Sequence, residues 1–381
     1  MTSLAITGGH IAIDGAMVRA DLSIEDGCLR PGSAAGRRRL DATGWLGMRG
    51  IGDMLGDACE RQGWPRPGVE VDLAVALRET DAQLVANGIT TAYHGLTWSW
   101  EPGFRGAANA RRFLEALARE RRGLAADTRV HLRQETFNLD AIDEIERLVL
   151  AGTIDCLAFN DHLEGTIKSR HRPEKIGKMV ERSGLATADF LALVDRVHAR
   201  ADEVPEAVSR LARAARASGV PLLSHDDPTP EARALHRGLG CAIAEFPIDV
   251  ATTRAAADAG DEIVFGAPNV MRGGSHTGCP SAAEMVGEGL CTILASDYYY
   301  PALPLAPFML AARGLADVAT AWALVSEGPA RALGLVDRGR IAEGARGDIA
   351  VVEDRGTRPP AIVATLVAGR IVRLVETDRL S

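Results

Sequence analysis

Two histidines stand directly after short apolar runs, His162 in CLAFNDH and His225 in VPLLSHDD. An imidazole at the end of an apolar strand is partly buried and needs a partner, which a metal ion or a carboxylate supplies. Asp297 ends a third such run, TILASD, and Glu135 ends a fourth, VHLRQE. Imidazole and carboxylate without thiolate is the donor set of a catalytic divalent site that keeps an open position for water. Zinc suits such a set, as one ion or two, with manganese or iron as alternatives. Its chemistry is hydrolysis, because a metal-bound water loses its proton near neutral pH and attacks an electrophilic phosphorus or carbonyl carbon. Glu135 has a second reading, as a structural partner of Arg133 or a helix cap. His131 falls on its side of a strand, and Glu245 either orients a ligand or holds a turn. His10, His171, His198 and His236 lie in loops or helical segments and read as surface or capping residues.

A second set of residues suits an anion. The loop APNVMRGGSHTG carries Asn269, Arg272, Gly273, Gly274, Ser275 and His276. Glycines let backbone N–H groups converge on phosphate oxygens, and an arginine adds a forked donor. A plain glycine-rich connection is the competing reading. Arg66 in WPRP, Lys168, Arg170 and Tyr298 are further candidate contacts.

These residues need elements that bring them to one place. Eight short apolar runs, near 50–54, 89–94, 129–135, 154–161, 220–225, 241–246, 262–266 and 292–296, alternate with amphipathic segments such as 107–122, 187–200 and 205–217. That alternation predicts parallel strands with helical crossovers, and eight units predict an α/β (β/α)8 TIM barrel. In such a barrel the C-terminal ends of the strands form the active-site face, and the ionisable residues named above fall at those ends. No G-x-G-x-x-G follows the first strand to support a dinucleotide-binding open sheet. The two chain ends read differently, as short strands with turns at Gly8-Gly9, Asp14-Gly15, Asp26-Gly27 and Ala368-Gly369. We therefore expect residues 1–50 and 331–381 to form a small β-sandwich and residues 51–330 the barrel.

Composition narrows the partners. With 43 Lys+Arg against 51 Asp+Glu, a net charge of -8 gives no overall attraction to nucleic acid or an anionic membrane. No apolar run approaches the roughly 20 residues of a membrane helix, and MTSLAITGGH does not read as a signal peptide. Six cysteines without a C-x-x-C pair suit reduced thiols, and with them a cytoplasmic protein. The expected partner is a small anionic molecule; self-association into a homo-oligomer is left open.

Taken in order, several segments resemble the PhnM family of phosphonate metabolism, a branch of the amidohydrolase superfamily. They are Gly88-Ile-Thr-Thr91, His131-Leu-Arg-Xaa-Glu135, Asp161-His162, Ser224-His-Asp-Asp227, Ala244-Glu-Phe-Pro247, Gly266-Ala-Pro-Asn269, Arg272-Gly-Gly-Ser-His276, Ser296-Asp-Tyr-Tyr299 and Glu343-Gly-Xaa-Xaa-Gly-Asp348. The resemblance implies a metal-dependent hydrolase that cleaves α-D-ribose 1-methylphosphonate 5-triphosphate to the 5-phosphate and pyrophosphate. It implies Glu135, His162, His225 and Asp297 as metal-site residues, with Asp297 taking the proton of bound water. One segment departs from the family, whose first strand ends in E-L-H-T-D. This chain has Asp53-Met-Leu-Gly-Asp57, with Leu55 in place of the histidine. The site has therefore lost a ligand, recruited another such as His94, or become mononuclear, and Asp57 is the remaining first-strand candidate. Hydrolysis of a C–N bond, common in the wider superfamily, and a metal-free binding role are the alternatives.

Overall fold

The computed structural model describes residues 3–13, 15–30, 38–66, 68–275 and 278–381. Seven strands come first: β1 (Ser3–Thr7), β2 (His10–Ile13), β3 (Ala16–Arg19), β4 (Leu22–Glu25), β5 (Cys28–Arg30), β6 (Arg38–Asp41) and β7 (Leu46–Arg49). Eight parallel-sheet strands follow: β8 (Ile51–Gly56), β9 (Ile89–Trp98), β10 (Asp127–Glu135), β11 (Cys156–Asn160), β12 (Leu222–His225), β13 (Ile243–Glu245), β14 (Glu262–Gly266) and β15 (Ile293–Ala295). The chain ends with β16 (Ile349–Glu353), β17 (Ala361–Val367) and β18 (Arg370–Leu374).

Strands β8 to β15 lie side by side in sequence order in one sheet. Its two edges meet through a bridge between Gly56 and Asp297, where the Asp57 amide donates to the Asp297 carbonyl at 2.7 Å and the Asp297 amide to that of Leu55 at 3.0 Å. This is the (β/α)8 barrel that the eight apolar runs predict. The limits of each run lie within four residues of those of the observed strand, as expected of short strands whose ends are set by tertiary contacts.

By contact density the chain forms two compact units, Met1–Tyr93 with Arg121–Thr128 and Glu262–Ser381, and His94–Glu120 with Arg129–Asp261. In the first unit the chain ends pair directly: β7 runs antiparallel to β16 with Arg49 opposite Ile349. Two end sheets result, β5-β4-β1-β6 and β18-β17-β16-β7-β2-β3. Ile6, Ile24 and Leu40 from one sheet and Ile11, Ile349, Val351 and Leu366 from the other share a single buried core, the arrangement of a β-sandwich. Asp26-Gly27 and Ala368-Gly369 take left-handed conformations at both positions, the requirement of a tight two-residue hairpin. Gly8-Gly9 is no hairpin. There the chain passes from one end sheet to the other. This unit also holds β8, β14 and β15, so compactness does not separate the end sheets from the barrel strands.

In the second unit, the strand alternation of β10 turns His131, Arg133 and Glu135 to one face. After β11, the helix Leu163–Ser169 starts at His162, and Leu163 is buried with Ile176, Phe190 and Val194. That packing fixes the backbone on which His162 stands. Among the described residues no helix is long and apolar enough to cross a membrane.

Candidate active site

The second unit gathers an ionisable cluster at the C-terminal ends of β10 to β13. His162 Nδ1 lies 2.6 Å from Glu135 Oε1, and the His162 amide donates to Glu135 Oε2 at 3.2 Å. The carboxylate can only accept, so Nδ1 carries a proton and Nε2 faces the other way, 3.8 Å from Asp226 Oδ2. His225 Nδ1 approaches the same carboxylate at 3.1 Å. The ligand atoms of His162, His225 and Asp226 all lie within 4.8 Å of one another.

His225 is held from its far side. An Arg133 nitrogen stands 3.1 Å from His225 Nε2. A guanidinium can only donate, so Nε2 accepts and Nδ1 carries the ring proton toward Asp226. Glu245 lies between two imidazoles, 3.8 Å from His225 Nε2 and 3.7 Å from His131 Nε2. Asp226 and Phe246, which follow β12 and β13, have φ of 56° and 55°. Left-handed backbone at a non-glycine residue costs about 1–3 kcal/mol, and at Asp226 it belongs to the strand end that carries the carboxylate. The Phe246 ring packs edge-on against His225 with centroids 5.4 Å apart.

Burial opposes charge on His162, but the Asp226 and Glu135 carboxylates outweigh it and push its pKa up to about 9. Burial pushes that of His225 down. Despite burial, the imidazoles hold Asp226 and Glu135 below the ordinary carboxylate range. Two imidazoles and one carboxylate fit the three-protein-ligand pattern of a catalytic divalent site, and a histidine backed by a carboxylate is its usual support. His162 Nε2, His225 Nδ1 and Asp226 would hold the ion, with Glu135 orienting His162. Loading must displace a proton from each imidazole. The proton kept by His225 would then move to Nε2, which would give up its hydrogen bond from Arg133 and turn toward Glu245, 3.8 Å away.

The other expected residues are distributed as follows. His94 is not in this group. Its ring packs edge-on against Phe113 of the helix Ala107–Glu120, with centroids 6.0 Å apart. We expect His94→Ala to leave metal stoichiometry unchanged and to lower stability by about 1–3 kcal/mol through lost packing, as metal analysis and thermal melts would show. Lys168 pairs with Glu164 at 2.7 Å and Arg170 with Asp195 at 3.3 Å, both at the surface. Asp227 is spent on Ser224, Arg233 and His236.

In the first unit Asp297 follows β15 with φ 55° and is half-buried. A side chain on Gly266 would lie 3.8 Å from both Asp297 Oδ2 and Asn269 Nδ2, so these two groups flank one glycine. Asp57 stands at the first boundary of the helix Ala58–Gly63 without a side-chain capping bond, and Leu55 is a buried apolar residue. Arg66 is exposed, and the Tyr298 carbonyl accepts from Arg61 at 2.5 Å. The anion cradle expected at Gly273 and Gly274 is not formed. Both amides donate to the Asn269 carbonyl at 3.1 Å, closing the helix Ala267–Arg272. Those donors satisfy orphan carbonyls at a helix C-terminus, where the dipole repels anions. Arg272 is exposed beside this cap, Ser275 is half-buried, and His276 lies outside the described residues.

Asp53, fully buried in β8, accepts from the Ser296 hydroxyl at 2.6 Å and its amide at 3.1 Å. Burial nevertheless raises its pKa to about 6. A raised carboxyl favours the fold below the unfolded value of 3.8 and loses that contribution as pH climbs through about 6. The loss is on the order of 3 kcal/mol. Asp53→Asn removes the titration, so the stability difference between variant and wild type should shift in the variant's favour from pH 4 to pH 8. Parallel denaturation curves at the two pH values would contradict this.

A (β/α)8 barrel with a histidine–carboxylate cluster at its strand ends fits the hydrolase class of proteins. The chain belongs to the amidohydrolase family, whose model matches residues 16–373. It is 30% identical, over 91% of its length and 94% of the relative's, to the alpha-D-ribose 1-methylphosphonate 5-triphosphate diphosphatase of Escherichia coli (strain K12). It is thus a PhnM-like amidohydrolase. Among solved structures it resembles dihydropyrimidinase from Brevibacillus agri (TM-score 0.66, 11% identity, 98% and 96% of the two chains). Molinate hydrolase (TM-score 0.64, 14% identity, 97% and 94%) is a second such neighbour. At these identities the likeness concerns the fold.

Proposed function

We propose that this protein is a metal-dependent phosphoanhydride hydrolase. Its proposed substrate is α-D-ribose 1-methylphosphonate 5-triphosphate or a related phosphorylated sugar, and its products are the 5-phosphate and pyrophosphate. The observation that carries the reading is the 30% identity over nearly the full length of the diphosphatase from Escherichia coli. The His162, His225 and Asp226 cluster supports it with a donor set for one ion, and zinc suits that set. A bound divalent ion supplies Lewis acidity and a water of lowered pKa.

The chain's own residues do the rest. Glu135 fixes the tautomer of His162, and Glu245 would accept from the remaining ring N–H of His225 once Nε2 gives up its bond from Arg133. Arg133 supplies a fixed positive charge beside the cluster, suited to charge that develops on a phosphoryl oxygen. In this reading Asp297 accepts the proton of the attacking water and returns it to the leaving group. Asn269, Tyr298, Arg272, Ser275 and His276 are the proposed substrate contacts of the first unit, and Arg66 joins them from its exposed loop.

The replacement of the family histidine by Leu55 favours a mononuclear arrangement. A second reading, hydrolysis of a C–N bond, gains from one observation: the Gly273 and Gly274 amides are committed to a helix cap and offer no cradle for a phosphate. Purified, zinc-loaded protein assayed for pyrophosphate from the triphosphate and for ring opening of hydantoin separates the two readings.

A further inference from the structure

The row of residues that face one another across β10 to β13 contains a member that no part of the mechanism uses. In the sheet register Glu135 stands opposite Asn160, and His225 stands opposite Glu245. The pairing of Phe159 with Ser224 brings Asn160 beside His225. Paired residues of adjacent parallel strands turn their side chains to the same face. Glu135, Asn160, His225 and Glu245 therefore form one continuous row, with the carboxamide between the residue that orients His162 and a proposed metal ligand.

Asn160 is 1% exposed. Among the described residues neither its Nδ2 nor its Oδ1 has a hydrogen-bond partner. A buried amide left unsatisfied is destabilising, and replacing it by an apolar group of similar shape is neutral or favourable to folding. The neighbouring interior residues of β11, Cys156 and Ala158, are small and apolar. Nothing in the strand itself calls for an amide there, so its use lies with whatever enters the mouth of this site.

The chemistry of the carboxamide selects that group. Phosphate oxygens accept and cannot satisfy Oδ1, whereas a group with an adjacent donor and acceptor satisfies both atoms. We infer that Asn160 is a substrate-binding residue that receives a neighbouring donor–acceptor pair of the substrate, not its phosphate. This rests on the proposed function, in which the pair is two adjacent sugar hydroxyls; in the C–N reading it is an amide N–H and C=O.

The test compares zinc-loaded wild type with Asn160→Leu, using ligand-free thermal melts and calorimetric binding of D-ribose 5-phosphate, pyrophosphate and hydantoin. We expect the variant to melt at or above the wild-type temperature and to keep its zinc. It should bind ribose 5-phosphate about tenfold more weakly and pyrophosphate unchanged. A lower melting temperature would show the amide to be structural and overturn the inference. Equal weakening of both ligands, or of neither, would also overturn it. Wild-type binding of hydantoin alone, lost in the variant, would sink the sugar reading and keep the role of Asn160. If wild type binds none of the probes, the proposed function fails and the inference, which rests on it, falls too.

Discussion

His225→Ala should lower divalent-metal affinity by on the order of a hundredfold or more, since even losing a supporting residue around a metal costs 10–100-fold. The argument is geometric. His225 Nδ1 and Asp226 Oδ2 are 3.1 Å apart, His162 Nε2 lies 3.8 Å from the same oxygen, and two remaining donors do not enclose an ion. The variant also leaves Arg133 and Glu245 without the imidazole between them, so some loss of stability should accompany the loss of metal. Metal per chain after dialysis against a weak chelator checks the expectation. Unchanged stoichiometry would remove His225 from the ligand set.

Asp297→Asn should reduce kcat by about 10²–10⁴-fold with little change in KM, the range for loss of a positioned proton acceptor. Asparagine is nearly isosteric with aspartate. It tolerates the left-handed backbone at φ 55°, and the backbone bonds from Asp57 and to Leu55 involve no side-chain atom of Asp297. Melting temperature should stay close to wild type, so a kinetic loss cannot be ascribed to unfolding. Activity within a few-fold of wild type would move the proton transfer to another group.

The barrel was legible because each strand is a short apolar run followed by ionisable residues, and both signals are local. The pairing of β7 with β16 was legible for a similar reason, since the two ends share strand and turn composition. What escaped depended on backbone direction. Asp226 and Asp227 are indistinguishable as letters in SHDD. The left-handed turn at Asp226 leaves its carboxylate with the two imidazoles, whereas Asp227 goes to Arg233 and His236. His94 reads as a strand end in TTAYHG, and the contact of its ring with Phe113 is not legible there. Gly273 and Gly274 have the composition of an anion cradle, but their amides close a helix that the motif alone does not reveal. Asn160 carries no signal in the sequence. Its interest arises from register across three strands and from burial, which are properties of the assembled sheet.

In the proposed site His162, His225 and Asp226 are the candidate metal ligands, backed by Glu135, Arg133 and Glu245. The most direct test of the account is pyrophosphate release from α-D-ribose 1-methylphosphonate 5-triphosphate by the zinc-loaded protein, measured beside its His225→Ala variant. The account predicts multiple turnovers that yield one pyrophosphate per 5-phosphate formed, and loss of that release in the variant along with its metal. Metal-loaded wild type that releases no pyrophosphate, or a variant that releases it at the wild-type rate, would contradict it.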